Sequence, residues 1–205
     1  MKPTCSDFEA KKSGNFTALP PVGAYVAEIQ AVRVLDPNKD KSVQRITIEL
    51  LIDIIEGEYA NRFHEVYDDQ IERFGSTAKY KGIFRLIPYN DDDEDWRKRA
   101  FQSNLWCVQE SNPGYKWDWD EKKLKGKKVG INLRKRLYTY TNAQGEKKDG
   151  ETVEIGKFET IDDVHNGKCR PMRDRDQREK REETVEIAVD GDTFTDVSGE
   201  VNVPW

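Results

Sequence analysis

The segment VQRITIELLIDIIEGEY, residues 43–59, alternates apolar and polar side chains along most of its length. One parity holds the aliphatic residues Ile46, Ile48, Leu50, Ile52 and Ile54, and the other holds Arg45, Thr47, Glu49 and Asp53. Successive side chains of a β-strand point to opposite faces, so a period of two predicts a strand that buries one face. The segment therefore predicts a half-buried strand at the centre of a β-rich domain.

Two more strands are predicted around this segment. Residues 24–35, AYVAEIQAVRVL, are rich in β-branched residues, and residues 63–69, FHEVYDD, place Phe63, Glu65 and Tyr67 on one face. Residues 76–90, STAKYKGIFRLIPYN, fit either a strand or an irregular basic-aromatic segment.

A helix is predicted after this ambiguous segment. Asn90 is expected to cap it, the acids of residues 91–95 favour its first turn, and Asn112-Pro113-Gly114 ends it. We interpret the acidic run as a helix N-terminus and not as a metal site. Its buried stripe is predicted to consist of Phe101, Leu105 and Val108.

Residues 128–161 predict a hairpin with a polar loop. Val129, Ile131, Leu133 and Leu137 share the parity expected to face the core, and Asn132, Arg134, Arg136, Tyr138 and Tyr140 share the other. Three strands, a helix and two strands is the element order of an OB-fold. The predicted fold class is mainly β with one main helix: an OB-like five-stranded barrel plus a disordered acidic C-terminal tail.

The composition divides the chain into four regions. We predict a flexible N-terminal arm at 1–19, an OB-like single-strand-binding domain at 20–168, a charged linker at 169–183 and an acidic tail at 184–205. The three cysteines are far apart, and no apolar run resembles a leader or a membrane span, so a reducing cytoplasm is expected. Two histidines and no catalytic motif favour a protein without metal, cofactor or enzymatic activity.

Charge is segregated along the chain. Residues 122–148 hold ten basic residues and one acid, whereas residues 184–205 hold five acids and no lysine or arginine. The overall net charge of -5 therefore hides a strongly basic stretch. Such an asymmetry points to a nucleic-acid partner.

The outward parity of the hairpin interleaves arginine with tyrosine. Guanidinium groups neutralise phosphates, and tyrosine rings stack on bases, so Arg134, Arg136, Tyr138 and Tyr140 are the primary candidates for binding single-stranded nucleic acid. The neighbouring lysines extend this candidate set: Lys122, Lys123, Lys125, Lys127, Lys128, Lys147 and Lys148. A phosphate track is expected to include Arg45, Arg62, Lys81 and Arg85. The sequence leaves open whether Trp117 and Trp119 belong to the core or stack on bases, and it does not distinguish DNA from RNA.

The chain ends in DVSGEVNVPW, residues 196–205, an acidic string with an apolar tip. It resembles the C-terminal peptide of bacterial and phage single-stranded DNA-binding proteins, although Trp replaces the usual Phe and the acids are more widely spaced. The resemblance implies that Val203, Pro204 and Trp205, with Glu200 and Asp196, bind replication or recombination proteins. The alternative is that residues 184–191 form a last strand and Trp205 packs on the domain.

A second resemblance covers residues 19–168, through the motifs PPVGAY, IDIIEGEY and ESNPGYKWDWDEKKLKGKKVG. It is to a family from phages and prophages of Gram-positive bacteria that is associated with replication and recombination. The resemblance implies single-stranded DNA binding in the cytoplasm of an infected or lysogenic host. The sequence leaves the oligomeric state open, a homo-oligomer included.

Two other functions remain open. One is an adaptor that recruits replication or recombination enzymes without binding nucleic acid, although an adaptor does not need the basic stretch. The other is a metal-dependent nuclease that uses Glu49, Asp53 and Glu65.

Deletion of residues 201–205 tests the interpretation of the tail. We expect an unchanged melting temperature, loss of binding to a partner enzyme, and nucleic-acid affinity that is equal or higher, because an acidic tail competes with phosphates for basic groups. Thermal unfolding and oligonucleotide titration of the truncated protein measure these effects. A large fall in melting temperature would show instead that Trp205 packs on the domain.

Overall fold

The structure, a computed structural model, describes residues 17–178. The strands are β1 Gly23–Leu35, β2 Thr47–Ile54, β3 Ile83–Leu86, β4 Lys128–Thr141, β5 Lys147–Glu159 and β6 Arg175–Gln177. The helices are α1 Arg62–Phe74, α2 Asp95–Glu110 and α3 Ile161–His165, with short 3₁₀ turns at Gly75–Thr77 and Glu121–Leu124. Residues 1–16 and 179–205 lie outside this range, and with them the predictions for the acidic tail and its tip.

One sheet forms the body of the domain, in the order β3-β2-β1-β4-β5. These neighbours pair antiparallel, and β6 adds to β4 in parallel. The mainly-β prediction is confirmed, and the strand order with α2 between β3 and β4 is compatible with an OB-like fold.

The sheet is open between its two edge strands, β3 and β5. The rings of Phe84 on β3 and Phe158 on β5 lie 4.4 Å apart between centroids, so side-chain packing spans this gap. Helix α2 covers the same region: Asn104 Oδ1 accepts a hydrogen bond from the backbone N–H of Phe158 at 2.8 Å. The predicted α2 stripe is confirmed, because Phe101, Leu105 and Val108 are all buried.

Strand β2 is buried on both faces, which corrects the half-buried prediction. Ile48, Leu50, Ile52 and Ile54 are buried as expected, but Ile46 is 55% exposed and precedes the strand. The polar parity is buried as well, with Glu49 at 0% and Asp53 at 4% exposure. Both carboxylates have partners, which explains how charged residues occupy these positions.

The segment predicted as a third strand, residues 63–69, is part of helix α1. Phe63 and Val66, three positions apart, are its buried residues, so the burial follows a helical period. Asp53 on β2 caps the N-terminus of this helix. Its carboxylate accepts hydrogen bonds from the backbone N–H groups of Phe63 at 3.1 Å and His64 at 3.0 Å. The third strand is instead β3, within the segment that the sequence left ambiguous.

Helix α2 begins at Asp95, five residues after the predicted cap Asn90. The acids before it form a turn in which Asp93 accepts the backbone N–H of Asn90 at 2.7 Å. Asp93 also pairs with both terminal nitrogens of Arg45, at 2.8 and 2.6 Å. This bidentate pair joins the segment just before β2 to the turn just before α2.

The predicted linker, 169–183, falls partly within the described range. The backbone carbonyl of Arg170 accepts a hydrogen bond from the side chain of Asn132 at 3.0 Å, and β6 follows five residues later. Asn132, predicted to face outward, is 1% exposed because its amide makes this bond and a second one to Glu159 at 2.9 Å. No helix among residues 17–178 combines the length and apolar composition needed to cross a bilayer.

The Arg45–Asp93 pair predicts a defined acid sensitivity. Its hydrogen bonds with Arg45, with a smaller contribution from the Asn90 N–H, lower the pKa of Asp93 to about 2. A lowered folded-state pKa stabilises the fold above the ordinary carboxyl pKa of ~4, and this stabilisation is lost as pH falls through the folded pKa. Asp93→Asn is therefore expected to lower the melting temperature at pH 7. The difference in melting temperature between the variant and the wild type is expected to shrink as the pH falls from 4 to 2. Melting curves across this range measure it, and a deficit independent of pH would contradict the assignment.

Candidate nucleic-acid interface

The β4–β5 hairpin extends beyond the rest of the sheet. Strand β1 pairs with β4 only as far as Gly23 opposite Leu133, because β1 begins there. Beyond this point β4 pairs with β5 up to Thr141 opposite Lys147, and with the short strand β6. We call residues 134–154, the part of the hairpin without β1, the arm.

One face of the arm carries the four primary candidates from the sequence. Arg134, Arg136, Tyr138 and Tyr140 alternate along β4, and their cross-strand partners include Glu154 and Lys148. Arg175 of β6 lies beside Arg136 in the same register. We call this surface the arm face; it consists of Arg134, Arg136, Tyr138, Tyr140, Lys148, Glu154 and Arg175.

A single carboxylate lies among the three guanidinium groups of the arm face. Glu154 is 2.9 Å from Arg134, 3.6 Å from Arg175 and 3.8 Å from Arg136. Because one negative charge cannot neutralise three positive ones, the face keeps a positive potential. Lys81 lies near this face: burial lowers the pKa of Lys81, and the nearby charges of Arg136 and Lys79 lower it further.

The aromatic side chains of the arm face form a short ladder. The guanidinium of Arg136 lies 5.6 Å from the ring centroid of Tyr138, and the rings of Tyr138 and Tyr140 are 6.1 Å apart. Gly150 opposite Tyr138 makes room for this arrangement, since a Cβ there would lie 2.9 Å from the tyrosine ring. Tyr140, near the tip of the arm, is 45% exposed.

The opposite face of the arm has a different composition. Lys135 pairs with Glu151 at 3.5 Å, and the Thr139 hydroxyl bonds the Asp149 carboxylate at 3.1 Å. Leu137, predicted to face the core, is half-buried here because β1 no longer covers this part of β4. Lys147, opposite Thr141, also belongs to this face, so the arginines and tyrosines of the hairpin, but not all of its lysines, are confined to the arm face.

The basic stretch of residues 122–148 does not form one surface. Lys128 begins β4 and Tyr140 lies twelve residues along it, which places them about 40 Å apart at the rise of an extended strand. Only Lys147 and Lys148 lie near the arm tip, opposite Thr141 and Tyr140. The remaining candidates lie at the other end of β4: Lys122, Lys123, Lys125, Lys127 and Lys128.

The predicted phosphate track is also divided. Arg45 is engaged by Asp93, and Arg62 stacks on Tyr59 at 5.3 Å and pairs with Glu65 at 3.0 Å. Arg85 pairs with Glu49 on the sheet at 2.9 Å. Of the four track residues, only Lys81 adjoins the arm face.

The three carboxylates considered for a nuclease each have different partners and do not form one site. Glu49 binds Arg33 at 2.7 Å and Arg85 at 2.9 Å, and Asp53 caps α1. Glu65 lies on the surface of α1 beside Arg62. Within residues 17–178, no group of three or more His, Cys, Asp or Glu side chains is placed to hold a metal ion.

Sequence analysis missed Glu154 and Arg175 as part of this surface. Glu154 lies on β5 and could have been found by aligning the two strands of the hairpin. Arg175 could not, because the sequence around β6 shows no alternation that predicts a strand. The two tryptophans separate: Trp117 packs partly buried against the core, whereas Trp119 is 60% exposed.

Comparison with known proteins adds no assignment: no protein-family model matches this chain, and no curated protein matches it.

Proposed function

We propose that this chain binds single-stranded nucleic acid, without reading its sequence, through the arm face. The observation that carries the proposal is the contrast between the two faces of one arm. Arg134, Arg136 and Arg175 share one carboxylate on the arm face, beside two tyrosine rings. On the other face, Lys135 has a carboxylate of its own.

The arm face offers the two interactions that single strands need. Its guanidinium groups neutralise phosphates and release counterions, which makes affinity fall with salt. Its tyrosine rings stack on bases, at ~1–3 kcal/mol per base, and every base has a face to stack on. Bases in a duplex are already stacked and paired, so tyrosine contacts favour single strands.

The rest of the functional prediction belongs to the same proposal. In OB-folds the loop between the last two strands flanks the oligonucleotide-binding face, which is the position of the arm. The two resemblances described above support a role in phage DNA replication or recombination, with Val203, Pro204 and Trp205 recruiting partner proteins. The proposal requires no catalytic step.

Two neighbouring residues of β4 provide a matched test. Arg136→Ala and Lys135→Ala each remove one positive charge, from opposite faces of the arm. We expect Arg136→Ala to weaken binding of a labelled oligothymidine several-fold and to reduce the slope of log K against log salt by about 0.7, the value for one phosphate contact on a single strand. Lys135→Ala is expected to change neither. Fluorescence anisotropy at two or more salt concentrations measures both quantities.

Equal losses in the two folded variants would show that only overall charge matters and would contradict the arm face. Equal affinity of the wild-type protein for duplex and single strand would contradict the stacking contribution. Undetectable binding by the wild-type protein would favour the adaptor alternative.

Neutralising the carboxylate of the arm face is expected to increase affinity. Glu154→Gln keeps a hydrogen-bond acceptor beside Arg134 but removes the charge that competes with phosphate for the guanidinium groups. We expect tighter oligothymidine binding with a steeper salt dependence and a lower melting temperature. Glu151→Gln, the matched change on the opposite face, controls for net charge. An equal gain in Glu151→Gln, or weaker binding by a folded Glu154→Gln protein, would count against the proposal.

A further inference from the structure

A second basic and aromatic surface lies at the far end of β4 from the arm. It is formed by the loop and 3₁₀ turn that lead into the strand, residues 115–128. We call the exposed residues Trp119, Lys122, Lys125 and Lys128 the lysine-end surface; Lys116, Asp118 and Lys123 of the same segment are exposed as well.

Trp119 is held outward by an unusual backbone conformation. Its φ angle is 67°, a left-handed conformation that is uncommon for a bulky residue, and the side chain is 60% exposed. One side of the ring stacks on Phe101, with centroids 5.8 Å apart and planes 17° from parallel. Strained residues of this kind cluster at binding sites, and a burial requirement does not account for an exposed indole.

The cations around Trp119 are available to a ligand. Lys122, Lys125 and Lys128 are exposed and have no carboxylate partner among residues 17–178. Of the three acids in residues 115–128, Asp118 pairs with Lys123 at 2.5 Å and Asp120 accepts the backbone N–H of Lys122 at 3.1 Å, which leaves Glu121 as the one acid against three free lysines. The loop therefore presents free positive charge beside an exposed ring.

Two polar groups of the same loop lack hydrogen-bond partners. Tyr115 Oη and Trp117 Nε1 are buried atoms with no acceptor among the described residues. Burial raises the pKa of Tyr115 to about 12, so its hydroxyl is protonated at neutral pH and can donate a hydrogen bond. Buried donors without acceptors are uncommon in folded proteins, but these two atoms are enclosed by the protein, so a ligand on the surface would not reach them.

We propose that the lysine-end surface is a second binding site for single-stranded nucleic acid, in which Trp119 stacks on a base and the free lysines contact phosphates. The ligand class rests on the function proposed above, but the residues are separate from the arm face. Lys128 and Tyr140 are about 40 Å apart along β4, so a short oligonucleotide occupies one site only. One chain then holds two strands, or two distant parts of one strand, at the same time.

Stoichiometry with a thymidine tetranucleotide tests this inference. Four nucleotides are at the lower end of the site sizes of single-strand binders and are too short to cover both surfaces. Native mass spectrometry at low ionic strength is expected to show two tetranucleotides per wild-type chain. Lys122→Ala/Lys125→Ala and, separately, Trp119→Ala are each expected to leave one, as is Arg136→Ala/Tyr138→Ala.

A bridging assay gives an independent readout. An immobilised tetranucleotide captures the protein, and a fluorescent tetranucleotide is then added; wild type is expected to retain it, whereas the single-surface variants are not. Light scattering identifies monomers, so that bridging by oligomers is recognised. The double lysine variant leaves the Trp119–Phe101 stack intact and guards against a folding defect in Trp119→Ala.

The outcomes separate this inference from the proposed function. One tetranucleotide per wild-type chain, lost only in the arm variant, would overturn the second site and leave the proposed function standing. One tetranucleotide lost only in the lysine-end variants would overturn the arm face as the site. No binding at all would overturn both.

Discussion

The buried carboxylate of Glu49 is the interaction on which this sheet depends. It lies on β2 between Arg33 of β1 and Arg85 of β3, so one side chain fixes three adjacent strands. A buried charge is tolerated only when it is paired, and removal of one partner strongly destabilises the other. Asp53, four residues along, fixes helix α1 to the same strand. The pairing of β1, β2 and β3 therefore depends on Glu49, and the position of α1 depends on Asp53.

The same carboxylates explain where sequence reasoning succeeded and failed. Alternation along β2 predicted a strand, but it also assigned Glu49 and Asp53 to solvent, because periodicity reports polarity and not the location of a partner. Residues 63–69 fit a strand by alternation, but in the structure they belong to helix α1, whose first N–H groups are capped by Asp53 from the preceding strand. The hairpin was predictable because its pairing is local, and the α2 stripe because the buried positions of a helix follow from the spacing of residues within it.

The candidate surface was predictable in part for the same reason. Alternation placed Arg134, Arg136, Tyr138 and Tyr140 on one face, and the hairpin register preserves that arrangement. The lysines that precede β4 were grouped with them because they are close in sequence, but the two ends of an extended strand are far apart in space. Whether β1 covers a given part of β4 depends on where β1 begins, and no local pattern around residue 134 contains that information.

The sheet order also has a consequence for how fast the domain folds. The segments that connect β1 to β2 and β2 to β3 are short compared with the segment between β1 and β4. The β1–β4 ladder pairs Glu28 with Lys128. Closing so long a loop has an entropic cost that must be met before the pairing stabilises anything, and such topologies fold slowly. We therefore expect the β1–β4 ladder to form after the pairings of β1 with β2 and of β2 with β3. Until it forms, the β4–β5 hairpin is an autonomous unit attached to the first half of the chain only through the segment that contains α2.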